Sequence, residues 1–109
     1  MTAKPPRPPR HLRAPTRKWW AETVAGYEFE AHHRLELTMA GELWDRKVEA
    51  REVVKKEGAY YVDRFGAPHA HPAVAVERDC TLGFLRIVRE LRLDSTEGPE
   101  SRPPGLGER

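Results

Sequence analysis

The sequence has little of what disulfide-rich, metal-binding or membrane-spanning proteins need. Among 109 residues there is one cysteine, Cys80, which excludes an internal disulfide and fits a reducing compartment. One cysteine and five histidines disfavour a closed structural zinc site. No apolar run approaches the roughly 20 residues of a membrane helix. The basic N-terminal residues are not followed by the apolar stretch of a secretory signal, so no membrane contact is expected.

Signatures of catalysis are also missing. Neither of the common glycine-rich phosphate-binding motifs occurs. His69 and His71 are spaced to share a metal, but no carboxylate or cysteine supports them within the same segment. Cys80 lies in the middle of an apolar stripe, where a thiol acts as a small hydrophobic group. We therefore expect no catalytic residue, no metal and no cofactor.

Apolar residues are few and unevenly placed. They make up 39% of the chain against 33% charged residues, with a mean hydropathy of −0.74. The ten prolines and eight glycines are also unevenly placed, with eight of the prolines in residues 1–15 or 99–104. This distribution predicts a disordered basic Pro/Arg-rich arm over 1–15, a helical oligomerisation core over 16–94 and a disordered tail over 95–109.

Positive charge is concentrated at the N-terminus. Residues 1–18 contain six basic side chains and no acidic one. Such a cluster supplies sequence-independent affinity for phosphates by releasing counterions, although a merely solubilising segment is the alternative. The DNA-binding residues predicted on this ground are Lys4, Arg7, Arg10, Arg13, Arg17 and Lys18.

The middle of the chain predicts a mainly α fold. A short first helix is expected over 17–26 with Thr16 as its N-cap, and a long second helix over 31–57 ends at Gly58. A small hairpin or extended elbow follows, in which Gly66 is free to take a positive φ. A third helix, the second long one, starts at Pro72, is capped by His71 and runs to about residue 93.

Two features suggest a second surface. Trp19 and Trp20 point about 100° apart on a helix, so either one meets another surface or one is half exposed. Apolar residues of the second helix fill about twice the roughly 100° that one core-facing stripe needs. We therefore expect copies of the chain to associate, the alternative being a monomer with an exposed Trp44. The predicted intersubunit residues are Leu37, Trp44, Val48 and Phe84.

Three arginines share one face of the third helix. Arg78, Arg86 and Arg89 lie opposite its apolar stripe. The face is either solvated, which is the default for charged side chains, or the inner lining of an assembly.

An ordered series of short motifs resembles one protein family. It contains Pro8-Pro9-Arg10-His11-Leu12, Thr16-Arg17-Lys18-Trp19-Trp20, Tyr27-Glu28-Phe29-Glu30, His32-His33, Trp44-Asp45-Arg46, Asp63-Arg64-Phe65-Gly66, His71-Pro72-Ala73, Glu77-Arg78-Asp79 and Leu91-x-Leu93-Asp94. No single piece is specific, but their order and spacing over about 90 residues resemble the short, ring-forming small subunits of tailed-phage terminases.

The resemblance implies a non-catalytic factor in viral DNA packaging. Such a subunit forms a homo-oligomeric ring of about eight to ten copies, as closed symmetry allows. It binds double-stranded viral DNA at the packaging start site and recruits or stimulates the large terminase subunit, an ATPase and nuclease, in the host bacterial cytoplasm. Many related factors have an N-terminal helix-turn-helix, whereas one short helix precedes the long one here. Recognition of DNA shape is therefore an open alternative to base-specific contacts.

The sequence also permits other functions. The proline-rich ends would suit a protein-only adaptor, and the basic N-terminus would suit a small DNA-binding regulator. A small metal-dependent nuclease lacks a ligand set in the sequence.

Overall fold

Three helices and one hairpin form the structure. A computed structural model describes residues 5–93, in which the elements are α1 (Ala14–Gly26), α2 (Ala31–Glu57), β1 (Tyr60–Val62), β2 (Pro68–Ala70) and α3 (Pro72–Glu90). The predicted fold class is confirmed, including the hairpin between the two long helices. The predicted tail over 95–109 lies outside the described residues.

Several element ends are where the sequence predicts them. α2 covers the predicted range and ends at Gly58, whose φ of 90° needs glycine and whose N–H donates to the Val54 carbonyl. α3 begins at Pro72, and Nδ1 of His71 accepts the Ala73 N–H at 3.0 Å. This N-cap confirms the role predicted for His71.

Two other ends differ from the prediction. α1 begins at Ala14, so its N-cap is Arg13 and Thr16 lies within the helix. α3 ends at Glu90 rather than near residue 93. There Arg92 adopts a φ of 60°, and the Leu93 N–H donates to the Val88 carbonyl. This turn folds Leu93 back into the core, where it is buried.

The core lies between the antiparallel helices α2 and α3 and under α1. Phe84 of α3 packs against Trp44 of α2, with ring centroids 5.0 Å apart, and against Trp19 of α1 at 5.6 Å. The fully enclosed Leu37 and the buried Val48 continue the same cluster along α2. The prediction that Leu37, Trp44, Val48 and Phe84 lie between subunits is therefore wrong, because all four are buried in the core of a single chain.

The tandem tryptophans are both buried, which corrects the expectation that one faces another surface. α1 lies over the groove between the long helices, so two of its faces are covered. Trp19 points to Phe84 of α3, whereas the Trp20 indole N–H donates to the Thr38 hydroxyl of α2 at 3.1 Å.

The end of the N-terminal segment packs on α2 and continues into α1, so the predicted disordered arm does not extend over residues 11–15. Leu12 is only 1% exposed and belongs to the core. It reaches α2 at Gly41, where an added Cβ would lie 3.2 Å from Leu12 and 3.0 Å from the Thr16 methyl group. The missing side chain of Gly41 thus allows the segment and α1 to approach α2 closely.

Asp45 of α2 joins these elements. Its Oδ1 accepts the buried Thr16 hydroxyl at 2.5 Å, and its Oδ2 accepts the Arg13 backbone N–H at 2.8 Å. The carboxylate therefore satisfies the N-cap of a different helix and lies at the positive end of the α1 dipole. The sequence places Asp45 on the polar side of α2, but the structure buries it.

Asp45→Ala is expected to destabilise the fold by about 2–3 kcal/mol, because a buried hydroxyl and a backbone N–H lose their acceptor. Urea unfolding followed by circular dichroism measures this change. Glu49→Ala removes an exposed carboxylate one turn later on α2 and is the control, with an expected change below about 0.5 kcal/mol. Equal effects of the two substitutions would contradict the structural role of Asp45.

Gly41→Ala and Gly83→Ala are expected to change stability in opposite directions. Each substitution adds about 1 kcal/mol to the free energy of unfolding, because alanine favours a helix interior more than glycine does. At Gly41 the new methyl group meets buried Leu12 and Thr16, whose hydroxyl is held by Asp45, so overpacking outweighs the gain. At Gly83 it meets the end of half-buried Leu43, which can rotate away. Thermal unfolding measures both, and a Gly41→Ala variant more stable than the native chain would contradict the close approach.

The hairpin has a well-defined turn but does not pack into the core. Tyr60, Tyr61 and Val62 pair with Ala70, His69 and Pro68 respectively. Asp63 closes the turn, since its Oδ1 accepts the N–H groups of Phe65 and Ala67 and its Oδ2 accepts from the His69 ring at 2.7 Å. Gly66 has the expected positive φ, 82°.

The turn is expected to loosen in acid. The His69 hydrogen bond, helped by the N–H groups of Ala67 and Phe65, lowers the pKa of Asp63 below its ordinary value. A carboxylate whose pKa is lower in the folded state stabilises that state above its unfolded pKa, and the effect is lost as pH falls through the folded pKa. NMR amide shifts of Phe65 and Ala67 should therefore titrate together below the ordinary Asp midpoint.

Asp63→Asn is the control for this titration. The amide oxygen still accepts the two backbone N–H groups but does not titrate, so both shifts should stay constant over that pH range. A native midpoint at or above the ordinary Asp value would contradict the turn geometry.

Candidate nucleic-acid interface

The basic N-terminal segment is anchored at several points. Nε2 of His11 lies 2.7 Å from Glu42 Oε2 on α2, while Asp45 holds the Arg13 backbone. Arg17 reaches back from α1 and donates from Nη1 to the main-chain carbonyl of Leu12, with a longer contact to the Arg10 carbonyl at 3.4 Å. The cations near this segment therefore project from a fixed surface.

The six predicted DNA-binding residues have different environments. Arg7, Arg10 and Lys18 are exposed and form no ion pair within residues 5–93. Arg13 is half-buried, and its Nη1 has no hydrogen-bond partner there. Arg17 is also half-buried and holds the Leu12 carbonyl, so its role is at least partly structural. Lys4 lies outside the described residues.

A second cationic surface lies on the outer face of α3. Arg78, Arg86 and Arg89 are all exposed, as the sequence predicts. Arg78 contacts Asp79 at 3.4 Å, whereas Arg86 and Arg89 have no ion pair in the described part of the chain. Exposed Leu82 and Leu85 interrupt this surface, so it is less uniformly cationic than the N-terminal one.

His69 and His71 pair with carboxylates rather than with each other. His69 contacts Asp63 at 2.7 Å, and Nε2 of His71 lies 2.8 Å from Glu57. Between residues 5 and 93 no group of three or more His, Cys, Asp or Glu side chains is arranged to hold a metal ion. In the same range no helix is long and apolar enough to cross a membrane.

Cys80 is buried on the inner side of α3. Desolvation raises the pKa of its thiol above the ordinary value, and Asp79 adds to this effect while Arg46 opposes it. The thiol is therefore protonated at neutral pH and is a poor nucleophile. This environment agrees with the packing role that the sequence predicts for Cys80.

Sequence reasoning missed the residues that fix the interface. Leu12 is the one large apolar side chain between residues 5 and 15, a signal that this segment packs. Gly41 inside a strong helix pattern was a second signal, because such a glycine often marks a close approach. Nothing local distinguishes Asp45 from the exposed acids of α2.

In comparisons with known proteins, no family model, no curated protein and no solved structure matches the chain.

Proposed function

We propose that this chain is the non-catalytic small subunit of a phage terminase. In this role a homo-oligomer binds double-stranded viral DNA at the packaging start site and recruits the large subunit, which holds the ATPase and nuclease. The observation that carries the proposal is a set of exposed cations without an ion pair in the described residues: Arg7 and Arg10 before the anchored His11, and Lys18 on the adjoining α1.

The anchoring of these cations favours DNA binding over a solubilising function. A solubilising segment needs no defined position, whereas His11 and Asp45 fix this one on α2. Cations held on a packed surface lose less conformational entropy when they contact phosphates. Three such contacts are weak in one chain, and repetition around an oligomer would raise affinity through avidity.

The motifs behind the resemblance also have distinct tasks in this fold. His11 and Leu12 attach the N-terminal segment, the two tryptophans fill the core and Asp45 caps α1. Asp63 forms the hairpin turn, and the His71-Pro72-Ala73 motif starts α3. The shared motifs therefore include residues that determine the fold, which supports a common architecture with small terminase subunits.

Replacing Arg7, Arg10 and Lys18 together by alanine should weaken DNA binding and its salt dependence. If each cation neutralises one phosphate, the slope of log K against log salt should become shallower by about 2–3. Fluorescence anisotropy with a labelled duplex measures this slope between 50 and 200 mM salt. Over that range, every few phosphate contacts lower the affinity by roughly a factor of ten.

The matched control removes the same charge elsewhere. Arg46, Arg86 and Arg89 are exposed and unpaired within the described residues, and their triple alanine variant should keep most of the native slope. Equal losses in the two variants would mean that net charge, rather than the N-terminal surface, attracts DNA. A native chain that does not bind duplex at low salt would contradict the proposed function itself.

A further inference from the structure

One face of the hairpin consists entirely of apolar side chains. Residues on paired strands alternate between faces, so Tyr60 and Val62 share a face with their partners Ala70 and Pro68. Tyr61 and His69 lie on the opposite face, where their rings stack with centroids 5.2 Å apart. The hairpin thus separates an apolar face from a polar one although neither covers the core.

The apolar face is exposed in the single chain. Tyr60 is 74% exposed and Phe65 at the tip is 80% exposed. Because a fully exposed aromatic side chain offers about 150–250 Å², the face and the tip together present roughly 200–400 Å² from these two residues, with the Arg64 guanidinium 4.8 Å from the Phe65 ring centroid. Val62, Pro68 and Ala70 extend the surface. Apolar patches of this size mark contact sites for other proteins.

The hairpin is also held rigidly at its base. The His71 N–H donates to the Ala59 carbonyl at 2.7 Å, and the His71 ring contacts Glu57 at the end of α2. Asp63 fixes the turn at the other end. An isolated two-stranded hairpin is at best marginally stable, so burial of its apolar face would add stability that the chain alone does not provide.

A complementary patch lies near the other end of α2. Leu35 and Met39 lie one turn apart and are 68% and 54% exposed, so they form the part of the wide apolar arc that α1 and α3 leave uncovered. Met39 precedes the last residue of α2 by 18 positions, or about 27 Å along the helix. The hairpin of the same chain therefore projects from the opposite end of α2.

The charges around the two patches are opposite. Residues 22–42, which include Leu35 and Met39, contain five acids against one arginine: Glu22, Glu28 and Glu36, with Glu30 and Glu42 in contact with His32 and His11. At the hairpin end Glu57 and Asp63 are paired with histidines, which leaves the cations Lys55, Lys56 and Arg64 without an ion pair in the described structure. A second copy of the chain supplies both the apolar and the electrostatic complement.

We infer that the apolar face of the hairpin docks on the Leu35–Met39 patch of a second copy. Because the two surfaces differ, the contact is heterologous, and repeated contacts close into a ring when the rotation permits. The inference rests on the proposed homo-oligomer and deepens it by naming the two surfaces that meet. It also replaces the core residues first assigned to the interface.

Two variants test the contact, Tyr60→Asp and Met39→Asp, each of which places an acid in one of the two surfaces. At a concentration at which the native chain assembles, each variant alone should have the mass of one chain, 12.5 kDa, by analytical ultracentrifugation. Each variant keeps one intact surface, so an equimolar mixture should form a heterodimer of twice that mass and nothing larger. A contact between identical surfaces would give no such heterodimer.

Two controls separate the contact from general effects. Leu82→Asp adds an acid at an exposed leucine outside both patches and should assemble like the native chain. Tyr60→Ser should weaken assembly more than Tyr61→Ser, because these neighbouring tyrosines lie on opposite hairpin faces. Circular dichroism verifies that each variant is folded.

The possible failures are distinguishable. Assembly of Tyr60→Asp like that of the native chain, or no heterodimer on mixing, overturns the hairpin contact and leaves DNA binding by the proposed small subunit intact. A folded native chain that is monomeric at micromolar concentration overturns this contact together with the proposed ring.

Discussion

The contact of Asp45 with Thr16 and the Arg13 N–H is the constraint on which the rest of the structure depends. It brings the start of α1 against the middle of α2, and Gly41 provides the space for that approach. α1 consequently lies against α2 and α3, which bury its two tryptophans. The same contact places Leu12 in the core and fixes the basic segment before it. One buried carboxylate thus links the packing of the core to the position of the candidate DNA-binding cations.

Local signals predicted the elements well because each end has its own chemistry. Gly58 ends α2 through a positive φ, and His71 followed by Pro72 starts α3. The packing of these elements was harder to predict, since it depends on contacts between distant residues. The apolar arc of α2 is as wide as the sequence indicates, but α1 and α3 cover the half that includes Trp44. In the other half Leu35 and Met39 are left exposed, whereas Ala50 is buried.

The candidate DNA surface was likewise only partly predictable from the sequence. Composition identifies the N-terminal residues as basic, yet it cannot distinguish a free cation from one that holds a backbone carbonyl. Arg17 and Lys18 are neighbours, but Arg17 binds the Leu12 carbonyl and Lys18 is exposed without an ion pair inside residues 5–93. Within the predicted arm, Leu12 and Arg13 pack on α2, because the one large apolar side chain there is buried despite the surrounding prolines and charges. Whether such a segment packs depends on a local packing site such as Gly41, which composition does not reveal.

The exposed hairpin and the anchored cations are physically compatible with one assembly. A contact between the hairpin and Leu35–Met39 would lie close to the N-terminal segment, which attaches to α2 through Glu42 and Asp45, one to two turns after Met39. The cations of the segment would therefore repeat beside these contacts at the spacing of the subunits. DNA bends with an energy that depends on its sequence, so a rigid array of phosphate contacts can select a site without reading bases. Shape recognition of this kind needs no helix-turn-helix, which is consistent with the single short helix that precedes α2.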